Sequence, residues 1–268
     1  MHGKKEKKWR IQLKVKCYSA SFRFYGELRN LLKKDIINIE NSVRYTFDNH
    51  PSVKDAIECM GPPHTEVSAI LVDSKPKNFD YWLQDQDNIE VYSFDTIPDL
   101  SSQLLLPNKP KGELKFVLDV HLGGLARYLR FFGIDTLHDN VDPGDKTLVN
   151  ISSQSCRILL TRDIGLLKHA IIRYGYWLRN TQSEKQFLEI AYRYGLGNNL
   201  KPFSRCSVCN GLIGEVEKVA LKSRISSSLY SQFDEFWECG NCNKIYWKGK
   251  HYYAIKKQLD DLTNQLSM

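Results

Sequence analysis

Two cysteine pairs constrain this chain more than anything else in it. Cys206-Ser-Val-Cys209 and Cys239-Gly-Asn-Cys242 are C-x-x-C pairs with 29 residues between them. Each pair can turn two thiolates toward one ion, and tetrahedral Zn2+ takes four such ligands, so the two segments are expected to meet at one point. Four sulfur ligands leave no position for water, so the ion is expected to be structural, and its loss to unfold the segment around it first. Cys17, Cys59 and Cys156 lie scattered, and an odd total of seven suits metal binding in a reducing compartment, not a disulfide framework. A cytoplasmic location is expected. No stretch approaches the roughly 20 apolar residues of a membrane span, and the amino terminus lacks the apolar core of a secretory signal.

Charge is unevenly spread. The net +7 resolves into +6 over residues 1–16, −6 over 17–100, +4 over 101–200 and +3 over 201–268. A basic second half that also carries clustered aspartates suits a polyanion held beside metal-binding carboxylates.

Apolar periodicity divides the chain further. Alternation of Ile11, Leu13, Val15 and Cys17 predicts a strand with one buried face. Strands are also expected at Ala20–Tyr25, Val43–Phe47, Ser68–Val72 and Asn88–Tyr92, and a helix at Glu27–Lys34. A second helix is expected after Ser52, with Val53, Ala56, Ile57 and Met60 on one face and Gly61 closing it. Phe22-Arg-Phe-Tyr-Gly-Glu-Leu28 and Ser52-Val-Lys-Asp55 resemble the β-grasp, ubiquitin-like sulfur carriers of molybdopterin and thiamine biosynthesis. Those carriers need a free terminal Gly-Gly, whereas here the segment ends in Val91-Tyr-Ser-Phe-Asp95 and continues, so docking, regulation or structure is expected instead of sulfur transfer.

The second half alternates strand and helix, which predicts a parallel sheet whose ligands gather at the carboxyl ends of its strands. Lys115–Leu118 runs into Asp119, and a helix over 122–132 follows. Ile134–Leu137 precedes Asp139, Asp142 and Asp145, the last at a helix start. Arg157–Arg162 runs into Asp163, with a helix over 165–174 behind it. Asp119, Asp145 and Asp163 are therefore candidate ligands for Mg2+ or Mn2+, because hard carboxylate oxygens without clustered histidines favour those ions and like charges need a cation between them. Asp145 alone also suits a helix cap. Arg127, Arg130 and Arg162 are candidate phosphate contacts, and Glu184 and Glu189 are the later acids from which a fourth ligand would have to come. Tyr246, Trp247, Tyr252 and Tyr253, interleaved with Lys244, Lys248, Lys250 and His251, suit either base stacking or a small core.

Phe116-Val-Leu-Asp-Val-His-Leu-Gly-Gly-Leu-Ala-Arg-Tyr-Leu-Arg-Phe-Phe-Gly133, Asp145-x-x-Leu148 and Ile158-Leu-Leu-Thr-Arg-Asp163 together resemble the Mut-seven carboxy-terminal RNase domain. That resemblance implies a PIN-like, Rossmannoid parallel sheet, a β-grasp domain before it and cysteine pairs after it, and RNA cleavage through Asp119, Asp145 and Asp163.

The expected organisation is a basic extension (1–16), a β-grasp domain (17–96), a linker (97–112), a PIN-like nuclease domain (113–200), a zinc ribbon (201–255) and a terminal helix or tail (256–268). The expected function is metal-dependent hydrolysis of RNA phosphodiesters, with a protein partner on the β-grasp domain. The alternative is an RNA-binding or ribonucleoprotein assembly factor that keeps the fold without turnover.

Overall fold

The structure, a computed structural model, describes residues 17–36, 42–96, 105–107 and 109–266. The basic extension, most of the expected strand at 11–17 and much of the expected linker lie outside these residues. Two compact units are present: Met1–Pro62 with Val67–Leu106, and Pro63–Glu66 with Pro107–Met268.

The first unit is a five-stranded sheet in the order β2-β1-β5-β3-β4, built from β1 (Tyr18–Phe24), β2 (Ser42–Phe47), β3 (Ala69–Val72), β4 (Lys75–Lys77) and β5 (Asn88–Tyr92). β1 runs parallel to β5 and antiparallel to β2, so the first and last long strands lie side by side at the centre, the β-grasp arrangement. α1 (Val53–Met60) buries Val53, Ala56, Ile57 and Met60, and the Ser52 hydroxyl accepts the Asp55 amide at 3.1 Å as its cap. Val53, Ile57 and Met60 each contribute about 1.5–3 kcal/mol when fully removed from water, and the Ala56 methyl about 0.8 kcal/mol. The helix expected over 27–34 is instead a short 3-10 segment, Gly26–Leu31, that buries Leu28 and Leu31.

The second unit holds a parallel sheet, β7-β6-β8-β9, made of β6 (Lys115–Leu118), β7 (Asp135–Leu137), β8 (Ile158–Thr161) and β9 (Gly175–Trp177). Phe116 and Leu118 face α2 (Gly123–Phe131) and α5 (Ser183–Tyr194), where Leu125, Leu129, Phe187 and Ile190 are fully buried. Val117 and Leu159 face the other side, with Leu148 and Val149 of α3 (Asp145–Gln154) and with Leu166 and Leu167 of α4 (Ile164–Leu167). Helices on both faces explain why β6 and β8 read as unbroken apolar runs. The helix expected over 165–174 stops at Leu167, and the chain turns back into β9.

An antiparallel ribbon, β10 (Ile213–Val216), β11 (Phe236–Cys239) and β12 (Ile245–Trp247), follows, with α6 (Ser227–Gln232) in its insert. α7 (Lys250–Leu266) begins inside the segment expected as ribbon and returns Leu259 and Leu262 to the core that α2 and α5 line.

Candidate active site and metal centre

β6 and β8 are neighbours in register, Leu118 beside Leu160, so the residues that follow them emerge at the same end of the sheet. Asp119 is anchored by its amide to the Leu160 carbonyl at 3.1 Å. Its Oδ2 accepts the Thr161 hydroxyl at 2.8 Å, and the same hydroxyl oxygen accepts the Asp163 amide at 2.9 Å. Thr161 is fully buried and thereby couples the two aspartates. Asp163 is exposed and caps α4, its Oδ1 accepting the Gly165 amide at 2.7 Å. Asp145 is the exposed first residue of α3, one position past the cap residue Gly144. Sequence reasoning passed over Thr161, although a hydroxyl two residues before a strand-ending acid was the available signal.

Among the described residues, one group of three or more metal-ligating side chains brings all its donor atoms within 4.8 Å, and it is Cys206, Cys209, Cys239 and Cys242. Asp119, Asp145 and Asp163 are not gathered to that spacing. The later acids are committed elsewhere. Glu189 accepts the Arg179 amide at 2.9 Å and the Asn180 amide and side chain at 3.2 and 2.7 Å, and Glu184 accepts the Tyr128 hydroxyl at 2.8 Å. A further buried acid, Glu66, accepts the Trp177 amide at the end of β9 at 2.7 Å and Arg179 at 2.9 Å.

The three candidate arginines part company. Arg127 is exposed on α2, with its guanidinium 6.0 Å from the centre of the Phe131 ring, and Arg162 is exposed between Thr161 and Asp163. Arg130, expected to share their role, is 4% exposed. Its guanidinium donates to the carbonyls of Thr136, His138, Ser207 and Val208 at 3.0, 3.2, 3.3 and 2.9 Å. A buried head with four of its five donors so occupied is closed to a phosphate, and Arg130 is a structural clamp. The sequence could not separate the two, because three residues along a helix turn the side chain by about 60° from its neighbour, enough to carry it from surface to core.

That clamp reaches the cysteine cluster. The Cys206 and Cys242 sulfurs lie 3.6 Å apart and those of Cys209 and Cys239 3.4 Å apart, near the ~3.8 Å edge of a tetrahedron with Zn–S of about 2.3 Å, so the four thiolates fit zinc. Both pairs are followed by an asparagine in the left-handed region, Asn210 at φ 69° and Asn243 at φ 57°. Both close with the same two bonds: Cys206 N–H to Gly211 O with Asn210 N–H to Cys206 O, and Cys239 N–H to Lys244 O with Asn243 N–H to Cys239 O. Gly211 permits the approach of the two turns, since a Cβ there would lie 2.8 Å from the Cys239 sulfur. Burial raises the Cys206 thiol, but hydrogen bonds from the Tyr246 hydroxyl and from backbone amides outweigh it and bring the group down to about 6. On Cys209 burial prevails and pushes the thiol up to about 12.

The first turn is bolted to the parallel sheet. Asn210 accepts the Thr136 amide at 2.9 Å and donates to Asp135 at 2.8 Å, and Arg205 donates to the Gly133 carbonyl at 3.2 Å. Asp135 also receives Arg157 at 2.7 Å. Burial works against its charge, but the bonds from Arg157 and Asn210 and the field of Arg205 hold its carboxyl below the usual range. The aromatic set expected to act together is also divided. Tyr246 donates to the Cys206 sulfur at 3.0 Å, and Trp247 lies against Phe233, whereas Tyr252 and Tyr253 sit on α7. Cys17, Cys59 and Cys156 are exposed thiols.

Two family models match this chain. The Mut7-C RNAse domain matches residues 114–259, and the Mut7-C ubiquitin domain matches residues 17–97. The chain belongs to the Mut7-C RNAse domain family. Comparison with curated proteins and with solved structures gave no match. The Mut7-C match runs through both cysteine pairs and into α7, so the ribbon belongs to the family's domain, as the bonds of Arg130 and Asn210 to it imply. No helix of the described residues is long and apolar enough to cross a membrane.

Proposed function

We propose that this Mut7-C protein is a metal-dependent ribonuclease that hydrolyses RNA phosphodiester bonds at the end of β6 and β8. The observation that carries the proposal is the shared Thr161 hydroxyl, which fixes the Asp119 carboxylate and the Asp163 backbone at adjacent strand ends. Magnesium is often bound by only one or two carboxylates, with waters and substrate phosphates completing its shell. Asp119 and Asp163 suit that pattern without all three acids converging, and Asp145 is the third ligand candidate, acting directly or through water. A bound Mg2+ or Mn2+ would supply water activation and neutralise charge at the scissile phosphate. Arg127 and Arg162, exposed on α2 and beside Asp163, would position the RNA backbone. The four cysteines would hold structural zinc.

Asp119→Asn and Asp163→Asn are each expected to abolish metal-dependent cleavage of RNA with the melting temperature little changed. Thr161→Val, which removes only the support of Asp119, is expected to cost about 10- to 100-fold. Activity equal to wild type in both aspartate variants would sink the assignment. The spread of the three acids favours one second reading, an RNA-binding or ribonucleoprotein assembly factor without turnover. RNA binding that weakens steeply with salt while no divalent ion elicits cleavage would select it.

A further inference from the structure

α2 points away from the aspartates, and at its carboxyl end Phe131 begins a row of rings from distant parts of the second unit. The Phe131 and Phe203 centres are 6.4 Å apart, Phe203 and Tyr252 are 4.6 Å apart, and Tyr252 and Tyr253 are 5.3 Å apart. The Arg127 guanidinium lies 6.0 Å from the centre of the first ring, and Tyr253, at the far end, is 59% exposed. Phe203 is held at φ 61°, a conformation that a bulky side chain adopts only at a cost, by the hydrogen bond that its backbone N–H donates to the Phe131 carbonyl at 2.7 Å. Such strain persists where surrounding structure enforces it, and here it places the Phe203 ring between the other two.

The row lies among basic residues, of which Arg205, Lys248 and Lys256 pair with Asp135, Glu235 and Asp260. Its members come from residues 120–134, 190–214 and 239–259, which together contain ten Lys and Arg and no Asp or Glu. Arg127, Lys201 and Lys250 are exposed, and none is in an ion pair with a carboxylate among the described residues. Rings that alternate with unpaired cations match an anionic chain carrying unstacked planar bases, which is single-stranded RNA. A protein partner would meet the same rings but would have less use for the unpaired cations of Arg127, Lys201 and Lys250 beside them. Phe131 lies at the far end of a nine-residue helix from the site, a rise of about 13 Å, so a bound strand can reach Asp119 from the row.

We infer that Phe131, Phe203, Tyr252 and Tyr253, with Arg127 and Lys201, form a stacking platform for unpaired RNA that leads the strand to the aspartate site. The inference rests on the ribonuclease reading for its substrate, but it concerns binding and is tested by binding. Full-length protein without added divalent ions is titrated with a fluorescein-labelled single-stranded oligouridylate, with a fully paired RNA hairpin of equal length, and with heparin as a competitor. Tyr253→Ala, on an exposed helix face, is expected to weaken the single strand about 10-fold, to leave the hairpin and heparin unchanged, and to be rescued by Tyr253→Phe. Lys201→Gln is expected to lower the salt slope by about one for every polyanion. If Tyr253→Ala binds the single strand as wild type does, or weakens all three ligands alike, the platform is overturned even where the aspartate variants abolish cleavage. If the selective loss appears in a protein that cleaves nothing, the platform stands and the ribonuclease reading falls.

Discussion

Asp135 shows how one carboxylate can serve two modules. It takes Arg157 and Asn210 at 2.7 and 2.8 Å, the first from the strand edge and the second from the cysteine turn. Because folding holds its pKa below the unfolded value of about 3.9, its stabilisation is fully present above that value and is lost as pH falls through the lower folded one. Wild type is therefore expected to lose more stability than Asp135→Asn between pH 5 and about pH 3. Urea midpoints at the two pH values measure this, and equal losses would show that the carboxylate gains nothing from its partners. Arg130 is the complementary case: a buried charge that hydrogen-bonds no carboxylate but four carbonyls, with Asp135 acting on it only through its field.

At the scale of elements, the ribbon and the parallel sheet are not separable. Arg130 and Asn210 fasten the first cysteine turn to β7, and Gly133, at φ 81°, lets the end of α2 lie against residue 201, where a Cβ would meet the Lys201 carbonyl at 2.3 Å. The expectation of a ribbon that unfolds by itself changes accordingly. Removal of zinc by a chelator is expected to expose not only β10–β12 but also the Thr136 amide to hydrogen exchange. Loss of protection confined to the ribbon strands would mean that the clamp transmits nothing.

On the scale of the whole molecule, the second unit is not one contiguous stretch. It includes Pro63–Glu66, whose Glu66 side chain is 3% exposed and pairs with Arg179, while His64 bonds the Ile172 carbonyl at 2.7 Å. Removing one partner of a buried pair leaves the other uncompensated, so Glu66→Ala is expected to destabilise this unit by about 3 kcal/mol and Glu66→Gln by less. An unchanged denaturation midpoint would overturn that. Nothing in the local sequence marks His64–Glu66 as part of this unit, since its partners lie more than 100 residues away. By contrast, the helix after Ser52, the apolar runs of β6 and β8, the aspartates that follow them and the two cysteine pairs were legible, because caps, periodicity and ligand spacing are local properties of the chain. The sequence by itself thus determined where the long strands and the capped helix lie and which side chains have the chemistry to bind metal, but not the form of the segment after Gly26 or the end of the helix after Asp163. Only the tertiary structure decided that Arg130 is a clamp and not a phosphate contact, that Thr161 couples Asp119 to Asp163, and that Tyr252 and Tyr253 join Phe131 and Phe203 instead of Tyr246. Those outcomes depend on which surfaces burial brings together, and burial is a property of the packed chain as a whole.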